Sequence, residues 1–213
     1  MLPVPFNDLW TLFEEQIFPF RSTEELFNQY NDNDPRFDLP NGDSIRRKNL
    51  LKYLESFRKK PRALLIGEAA GPWGCRFSGI PFTSERLLVK GILPFEGHKS
   101  SIHDPPYSEL SASIFWKTLL SYYPNFFVWN AVPFHPHKQG EMLSIRHPSR
   151  DELYTYSNVI SKLVSLIKPK QIVAIGRKAE FALTFLGKSF VYVRHPSQSG
   201  AWEFRRGVEN ILR

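Results

Sequence analysis

Residues Leu64 to Phe82 read LLIGEAAGPWGCRFSGIPF, and the rest of the chain is organised around this stretch. It begins as a short apolar run of the kind that forms a buried strand. It then breaks into a glycine-rich loop that contains an acid, aromatic residues and an arginine. Because loops of this kind usually bind a ligand, we expect polar residues at the ends of other strands to meet it.

The size and charge of the chain indicate how many domains it forms and what kind of partner it binds. Its 213 residues, 42% of them hydrophobic, are enough for one sizeable core and predict a single domain over residues 1–213. Within it we expect residues 1–60 to form a helical N-terminal extension packed on the rest. A formal net charge of +7 favours a polyanionic partner such as nucleic acid or an anionic membrane surface.

The sequence lacks membrane-spanning and signal segments and has few cysteines, which limits the expected location and chemistry of the protein. No stretch reaches the roughly 18 to 20 apolar residues of a membrane span, and the first residues lack the basic and apolar segments of a signal peptide. We therefore expect a cytoplasmic protein without a membrane partner. Cys75 is the only cysteine, which excludes an internal disulfide, a four-cysteine zinc site and an iron–sulfur cluster on the chain's own cysteines.

Beyond Arg62 the sequence alternates between short apolar runs and amphipathic segments. The apolar runs predict strands over residues 63–66, 126–129, 171–175 and 190–193. The amphipathic segments predict helices over residues 84–90, 111–122, 150–167, 177–186 and 201–212. This alternation is typical of an α/β fold, here a three-layer sandwich in which a short, mostly parallel central sheet is flanked by helices.

The N-terminal region has a different pattern. Apolar residues between positions 5 and 30 recur at helical spacing and are interrupted at Pro19, which predicts two short helices. Ser44 is then expected to cap a basic helix over residues 45–59. The basic side chains of that helix either contact phosphates or form a solvated face.

Polar residues stand directly after each of the four predicted strands. They are Gly67-Glu68, Asn130, Gly176-Arg177 and, after the fourth strand, Arg194 to Ser197. In open parallel sheets the ligand lies beyond the carboxyl ends of the strands. From the pattern alone, we therefore expect an acid, an amide and an imidazole to converge at this edge of the sheet.

Familiar nucleotide and metal motifs do not fit the chain. Residues 187–189 look like the end of a phosphate-binding loop, but Ala182 stands where that motif needs glycine. His135 and His137 are a possible metal pair, but no third ligand has suitable spacing. We therefore expect no metal and no organic cofactor.

Three motifs in the second part of the chain resemble those of one known family. Residues 67–71, GEAAG, and residues 79–82, GIPF, resemble the first motif of the uracil-DNA glycosylase superfamily, above all its G-E-A-P-G branch. Asn130 is similar to the base-reading asparagine of that superfamily, and residues 195–197 resemble its H-P-S motif. The resemblance runs from about residue 62 to the C-terminus. Since the cluster-binding cysteines of the G-E-A-P-G branch are missing, it implies a cluster-free relative.

The resemblance implies a monofunctional DNA glycosylase, which hydrolyses the N-glycosidic bond of uracil or another deaminated base in DNA and leaves an abasic site. Glu68 and His195 are then the catalytic residues: Glu68 orients water or stabilises the cationic sugar, and His195 donates a hydrogen bond to O2 of the leaving base. The implied substrate-binding residues are Gly67, Ala69, Phe82 and Asn130. Phe82 stacks on the flipped base, and Asn130 reads its O4 and N3–H. Trp73 is the candidate for excluding thymine.

The resemblance also implies a DNA partner that contains a damaged base, bound by a monomer. The expected DNA contacts are Arg194, Ser197, Gln198 and Arg205. Gln198 or Trp202 is expected to fill the gap that the flipped base leaves. No lysine is placed as a Schiff-base nucleophile, so no strand cleavage is expected.

The sequence leaves alternatives open at this site. Residues 146–149 repeat the RHPS of residues 194–197, but a long amphipathic helix follows them. Ser149 is therefore expected to cap that helix, and His195 is preferred as the catalytic histidine. Ala69 stands where the best-known branch has its catalytic aspartate. This alanine makes a second function possible, a catalytically weak or inactive DNA-binding module for damaged or single-stranded DNA. A third possible function is the hydrolysis of free nucleosides.

Overall fold

A computed structural model describes residues 6–197 and 199–212 of the chain. Its strands are, in chain order, β1 (Leu26–Phe27), β2 (Ala63–Gly67), β3 (Phe126–Asn130), β4 (His135–Pro136), β5 (Gln171–Ile175) and β6 (Val191–Val193). Its helices are α1 (Phe6–Gln16), α2 (Gly42–Glu55), α3 (Cys75–Ser78), α4 (Glu85–Val89), α5 (Leu110–Leu119), α6 (Arg150–Thr155), α7 (Ser157–Ile167), α8 (Arg177–Phe185) and α9 (Ala201–Leu212). Among the described residues, no helix has the length and apolar character needed to cross a membrane.

Four of the strands form one parallel sheet in the order β3-β2-β5-β6. Each is a short run of mostly apolar, β-branched or aromatic residues, which suits a strand covered by helices. β2 is paired on both sides, and Gly67 lies opposite Asn130 in the register with β3. Helices pack on this sheet; Phe13 of α1, for example, stacks on Trp129 of β3 with 4.4 Å between the ring centroids. The predicted α/β sandwich around a short parallel sheet is therefore confirmed.

The N-terminal region differs from its prediction in two places. The second predicted helix does not form, because Leu26 and Phe27 make β1 and pair antiparallel with β4. Both side chains of β1 are buried, so tertiary packing overrides the helical spacing of the apolar residues. The prediction of a Ser44 cap is also wrong, because α2 begins earlier, at Gly42. Asn41 stands at its N-cap without a side-chain hydrogen bond.

The long helix predicted over residues 150–167 is two helices, α6 and α7, which meet at Tyr156. Tyr156 is buried, and its ring packs edge-on against Phe134 with 5.2 Å between the centroids. The break therefore lies where an aromatic side chain enters the core next to the segment that follows β3. A short helix that was not predicted, α3, lies inside the glycine-rich stretch.

A buried ion cluster ties the N-terminal region to that stretch. Asp38 accepts hydrogen bonds from Arg76 of α3 at 2.5 and 2.9 Å and from Arg46 of α2 at 3.0 Å. All three side chains are fully buried. Arg46 is thus neither a phosphate contact nor part of a solvated face. Since a buried charge is stable only when it is paired, the cluster fixes the position of α3 and of the loop around it.

Candidate active site

One cavity of about 790 Å³ opens at the carboxyl edge of the parallel sheet. Its wall contains residues that follow three of the strands: Glu68 after β2, Gly176 after β5 and His195 after β6. Ala69 and Phe82 of the glycine-rich stretch also line it. The structure thus brings together the acid and the imidazole that the pattern of strand ends predicts.

Gly67 ends β2 and lets two side chains approach its backbone. A Cβ atom at this position would lie 2.5 Å from Cε2 of Phe82 and 2.7 Å from Oδ1 of Asn130. Any larger residue would therefore displace the ring or the amide. Gly67 contributes to the site by leaving space for these two groups.

The ring of Phe82 forms a platform in the cavity wall. It stacks on Phe115 of α5, with 4.7 Å between the centroids and 16° between the planes, and the ring of His195 lies 5.5 Å away. Phe82 has a φ angle of +50°, a left-handed conformation that is costly for a residue of this size. The surrounding loop must hold this conformation, and such residues cluster at functional sites.

Asn130, the predicted base-reading amide, is the last residue of β3. It is only 3% exposed, and its Oδ1 lies beside the backbone of Gly67. Neither Asn130 nor Gly67 is part of the cavity wall. No other described residue is hydrogen-bonded to its side chain, so the amide keeps a donor and an acceptor for a ligand that reaches past Gly67.

Glu68 is paired with His147, the histidine of the RHPS copy that the sequence ranks behind His195. Oε1 of Glu68 accepts a hydrogen bond from Nδ1 of His147 at 2.5 Å. The Glu68 side chain is 24% exposed, whereas that of His147 is 67% exposed, and both residues line the cavity. A carboxylate that accepts the Nδ1–H fixes an imidazole with its basic Nε2 open to a proton. His147 is therefore a functional candidate, and the repeated RHPS is the sequence signal that marks it.

The segment that carries His147 is held on both sides. Arg146 donates two hydrogen bonds to the Glu152 carboxylate, at 2.7 and 3.0 Å. Ser149 and Glu152 form a capping box at the start of α6, with hydrogen bonds of 3.1 and 2.7 Å. The predicted Ser149 cap is thus confirmed, and it leaves His147 free to meet Glu68.

In the second copy of RHPS, the contacts of Ser197 indicate which ring nitrogen of His195 carries the proton. Its Nδ1 accepts the backbone N–H of Ser197 at 3.2 Å and lies 2.8 Å from the Ser197 hydroxyl. Burial, followed by the charge of His147, lowers the pKa of His195 to about 4. We therefore assign a neutral imidazole with its proton on Nε2 at pH 7. Gly176, at a φ of +90°, leaves room for it, because a Cβ there would lie 3.3 Å from Cβ of His195.

The remaining predicted residues lie around the cavity or away from it. Ala69 lines the cavity but has no carboxylate for water activation. Arg194 is exposed and lines the cavity, as does the half-buried Ser197. Arg205 is exposed on α9 and is not part of the cavity wall. Gln198 lies outside the described residues.

Sequence reasoning also misses Glu109, a second acid in the cavity wall. Its carboxyl group lies against the glycine-rich stretch, since a Cβ at Gly71 or Gly74 would come within 2.2 or 2.5 Å of Oε2. Burial raises the pKa of this carboxyl group, and Oε2 has no hydrogen-bond partner in the described part of the chain. Only the packing against two glycines reveals this residue, and nothing in its local sequence marks it.

His135, one of the two histidines that the sequence offers as a possible metal pair, makes structural hydrogen bonds. The two ring nitrogens of His135 lie 2.8 Å from the backbone oxygens of Ala70 and Met142. His135 therefore links the glycine-rich stretch to the segment that carries His147. Within residues 6–197 and 199–212, no group of three or more His, Cys, Asp or Glu side chains is arranged to hold a metal ion.

Comparisons with known proteins identify the family of the chain and a structure with the same fold. The sequence profile described as "Uracil DNA glycosylase superfamily" matches residues 54–211. Among solved structures, the chain is similar to the crystal structure of wild-type SMUG2 from Pedobacter heparinus, with a TM-score of 0.64. That match covers 97% of this chain and 95% of the other at 17% sequence identity, and so it shows a shared fold. A comparison with curated proteins gave no match.

Proposed function

The chain belongs to the uracil-DNA glycosylase superfamily, and we propose that it is a monofunctional DNA glycosylase that releases uracil from DNA by hydrolysis. The proposal rests on one observation: the wall of a single cavity contains Glu68, Phe82 and His195. The family supports the reaction class, and these side chains match the charges that the reaction develops.

Breaking the N-glycosidic bond separates charge. Positive charge develops on the deoxyribose, and negative charge gathers on the departing base. A neutral His195 with a proton on Nε2 suits O2 of the base, because it donates a hydrogen bond that strengthens as the anion forms. The Glu68 carboxylate suits the sugar, because its negative charge stabilises the cation.

The pair of Glu68 and His147 supports water activation. Ala69 offers no carboxylate, but Glu68 holds His147 with Nε2 open. We expect Nε2 to accept a proton from the water that attacks C1′ of the sugar. A C–O bond forms at C1′ as the C–N bond breaks, and the bonding electrons leave with the base. The water proton passes to His147 and then to solvent.

Phe82 and Asn130 support uracil as the base. The Phe82 ring offers a stacking surface to a flipped base. The Asn130 amide can accept N3–H and donate to O4, a pattern that cytosine does not match. Trp73, which is 38% exposed in the cavity wall, remains the candidate that excludes the methyl group of thymine. The proposed DNA contacts remain Arg194, Ser197, Gln198 and Arg205.

We also propose that residues 1–213 act as one domain and as a cytoplasmic monomer, without a metal or an organic cofactor. The apolar cluster that contains the sheet also contains Phe6 and Phe13 of α1. The buried Asp38 cluster further joins residues before 60 to the glycine-rich stretch. Both contacts favour a single unit.

The test is the release of base from single- and double-stranded oligonucleotides that contain uracil, read as alkali-labile sites. We expect breaks only after alkali treatment, as for an enzyme without lyase activity. Asn130→Ala is expected to lose uracil excision. His195→Ala is also expected to lower excision, and its control is His98→Ala, a change at an exposed histidine outside the cavity wall. Wild-type protein that makes no alkali-labile sites would contradict the proposal.

A DNA-binding module without chemistry is the second candidate, and Ala69 is the observation that favours it. It predicts binding to damaged or single-stranded DNA that weakens with salt and releases no base. Binding isotherms at two salt concentrations, measured beside the excision assay, separate the two functions. Cleavage of free deoxyuridine without affinity for oligonucleotides would instead indicate a nucleoside hydrolase.

A further inference from the structure

Two short basic segments lie side by side where the central strands β2 and β5 begin. Residues 60–62, KPR, lead into β2, and residues 168–170, KPK, lead into β5. The backbone N–H of Lys170 donates a hydrogen bond to the carbonyl oxygen of Arg62 at 2.8 Å, and that of Gln171 donates to the same oxygen at 3.2 Å. The two segments are therefore neighbours in space, although they are far apart in the sequence.

Six exposed cations lie at this edge of the sheet, in residues 58–62 and 168–170, which we call the amino-edge face. They are Arg58, Lys59, Lys60, Arg62, Lys168 and Lys170. Within residues 6–197 and 199–212, none of the six takes part in an ion pair or a side-chain hydrogen bond. The sequence also has no acid between Glu55 and Glu68 or between Glu152 and Glu180.

Arg62 and Lys170 stand opposite each other, because they directly precede the paired residues Ala63 and Gln171. Like charges directly opposite each other on neighbouring strands are destabilising. The end of α7 supports Lys168, since a helix C-terminus favours a cation, but Arg62 and Lys170 lie outside the helices. The pair therefore costs the fold stability, which an anionic partner would restore.

The backbone of the amino-edge face is held in place. Pro61 is buried, and the backbone N–H of Arg62 donates a hydrogen bond to the carbonyl oxygen of Asn125 at 2.7 Å. Phe57, directly before the face, is fully buried and stacks on Phe6 with 4.9 Å between the ring centroids. Cations on a fixed backbone lose less conformational entropy when a partner binds them.

Nucleic acid fits this face better than a membrane does. A phosphate backbone is a continuous row of charges, which neutralises several cations of an extended array at once. Stable binding to a membrane surface needs apolar side chains or a lipid chain beside the cations. Neither basic segment has a large exposed apolar side chain.

The amino-edge face lies across the sheet from the cavity. Arg62 directly precedes β2 and Glu68 directly follows it, so the strand separates them by about 20 Å, at about 3.3 Å per residue. None of the six cations is part of the cavity wall. A short, straight duplex that reaches Glu68 therefore cannot contact this face as well.

We propose that the amino-edge face is a second nucleic-acid site, which binds the phosphate backbone of duplex DNA without reading its sequence. One protein molecule then holds one duplex at the cavity and another at this face. The inference goes beyond the proposed function and does not depend on it, because it rests on the charge and position of the face alone.

The test counts the duplexes that one protein molecule binds, by sedimentation velocity at low salt with uracil-free duplexes too short to span both sites. Whatever the cavity binds, the variant Lys60→Gln/Arg62→Gln/Lys170→Gln is expected to bind one duplex fewer than wild type. In wild type, rising salt should release that duplex with a log–log slope of about −3 or steeper, because at least three phosphates regain counter-ions.

Two further variants separate the face from total charge and charge from shape. Lys48→Gln/Arg86→Gln/Lys90→Gln removes the same charge from exposed residues outside the face and the cavity wall, and should bind as many duplexes as wild type. Exchanging lysine and arginine at the three positions of the face keeps its charge and should also match wild type. Urea unfolding of each variant checks that the fold is intact.

The proposal is overturned if the glutamine variant of the face binds as many duplexes as wild type, if the control variant loses a duplex too, or if the wild-type slope is shallower than expected. Vesicles of anionic lipid that bind wild type more tightly than DNA does, and bind the glutamine variant weakly, would assign the face to a membrane instead. Loss of a duplex in that variant without any excision by wild type would support this proposal and contradict the proposed function. Excision by wild type with an unchanged duplex number in the variant would do the reverse.

Discussion

Residues 146–149 and 194–197 share the sequence RHPS and lie at the same cavity, yet their side chains have different partners. In the first copy the serine caps α6, and the histidine meets the Glu68 carboxylate. In the second copy the serine is bound to the histidine itself, which is mostly buried and neutral. The position of the next helix accounts for the difference. Ser149 stands at the start of α6 and caps it, whereas α9 begins only at Ala201, so Ser197 is available to His195. Identical residues thus provide a candidate proton acceptor and a candidate hydrogen-bond donor.

The largest effect should come from the first copy. Glu68→Gln and His147→Ala are each expected to lower the single-turnover rate of uracil excision by about 10²- to 10⁴-fold, the usual range for a general base. Because the two groups act as a unit, the double variant should be no slower than the worse single variant.

The control for this first comparison is His98→Ala, which should excise at the wild-type rate. An active His147→Ala would mean that the first copy serves only to cap α6. A labelled strand that stays attached to the protein on a denaturing gel would mean that the imidazole attacks the sugar itself, and water activation would then be wrong.

Removing the donor in the second copy should have a somewhat smaller effect. His195→Ala is expected to slow excision by about 10²- to 10³-fold, as for the loss of one donor to a developing anion. His195→Gln, which keeps a neutral N–H donor, should recover part of the rate. With a pKa of about 4, His195 is neutral above that pH, so its contribution should stay constant from pH 5 to 8. A pH dependence near 6.5 that disappears in His195→Gln would contradict the assigned neutral donor.

The same burial should make the fold sensitive to acid. The pKa of His195 is lower in the folded chain, about 4, than the 6.5 of a free imidazole, so only the unfolded chain takes up this proton between those values. Stability is therefore lost as the pH falls from about 6.5 to about 4, by up to about 3 kcal/mol for this group.

Urea unfolding at pH 7 and pH 4.5 measures that loss, and His195→Gln should make it smaller. Part of the loss will remain, because burial also lowers the pKa of His135 to about 4. An equal loss in wild type and His195→Gln would show that His195 does not titrate in this way.

The two serines should give the smallest and most selective effects. Ser149→Ala removes a helix cap and is expected to lower the free energy of unfolding by about 1 kcal/mol. Ser197→Ala loosens His195 and is expected to slow excision by up to about tenfold, the effect of one hydrogen bond, with little change in unfolding. Chemical denaturation and single-turnover assays on both variants measure this separation. If Ser149→Ala and Ser197→Ala changed the free energy of unfolding and the excision rate alike, the two RHPS copies would not differ in the way described.

The sheet and part of the site were predictable because their signals are local. Each strand is a short apolar run, and a parallel sheet brings the residues after its strands to one edge, which placed Glu68 and His195 together. β1 was not predictable, since its two residues become a strand only by pairing with β4.

Glu109 was missed, and His147 was ranked behind His195, for a related reason. His147 lies 79 positions from Glu68 in the sequence, and only the path of the segment after β3 brings them together. The position of Glu109 depends on its contact with the backbone at Gly71 and Gly74. Contacts of this kind depend on tertiary geometry that no local pattern records.

The buried cluster of Asp38, Arg46 and Arg76 bears on how this protein can be divided. The family profile begins at residue 54, so Asp38 and Arg46 lie before it, while Arg76 lies inside it. A fragment cut at that boundary would leave the Arg76 guanidinium group without its counter-ion, a loss of about 3 to 5 kcal/mol for a buried pair. We therefore expect the portion that the family profile matches to be unstable on its own, because the residues before it supply the carboxylate that pairs with Arg76 in the glycine-rich stretch.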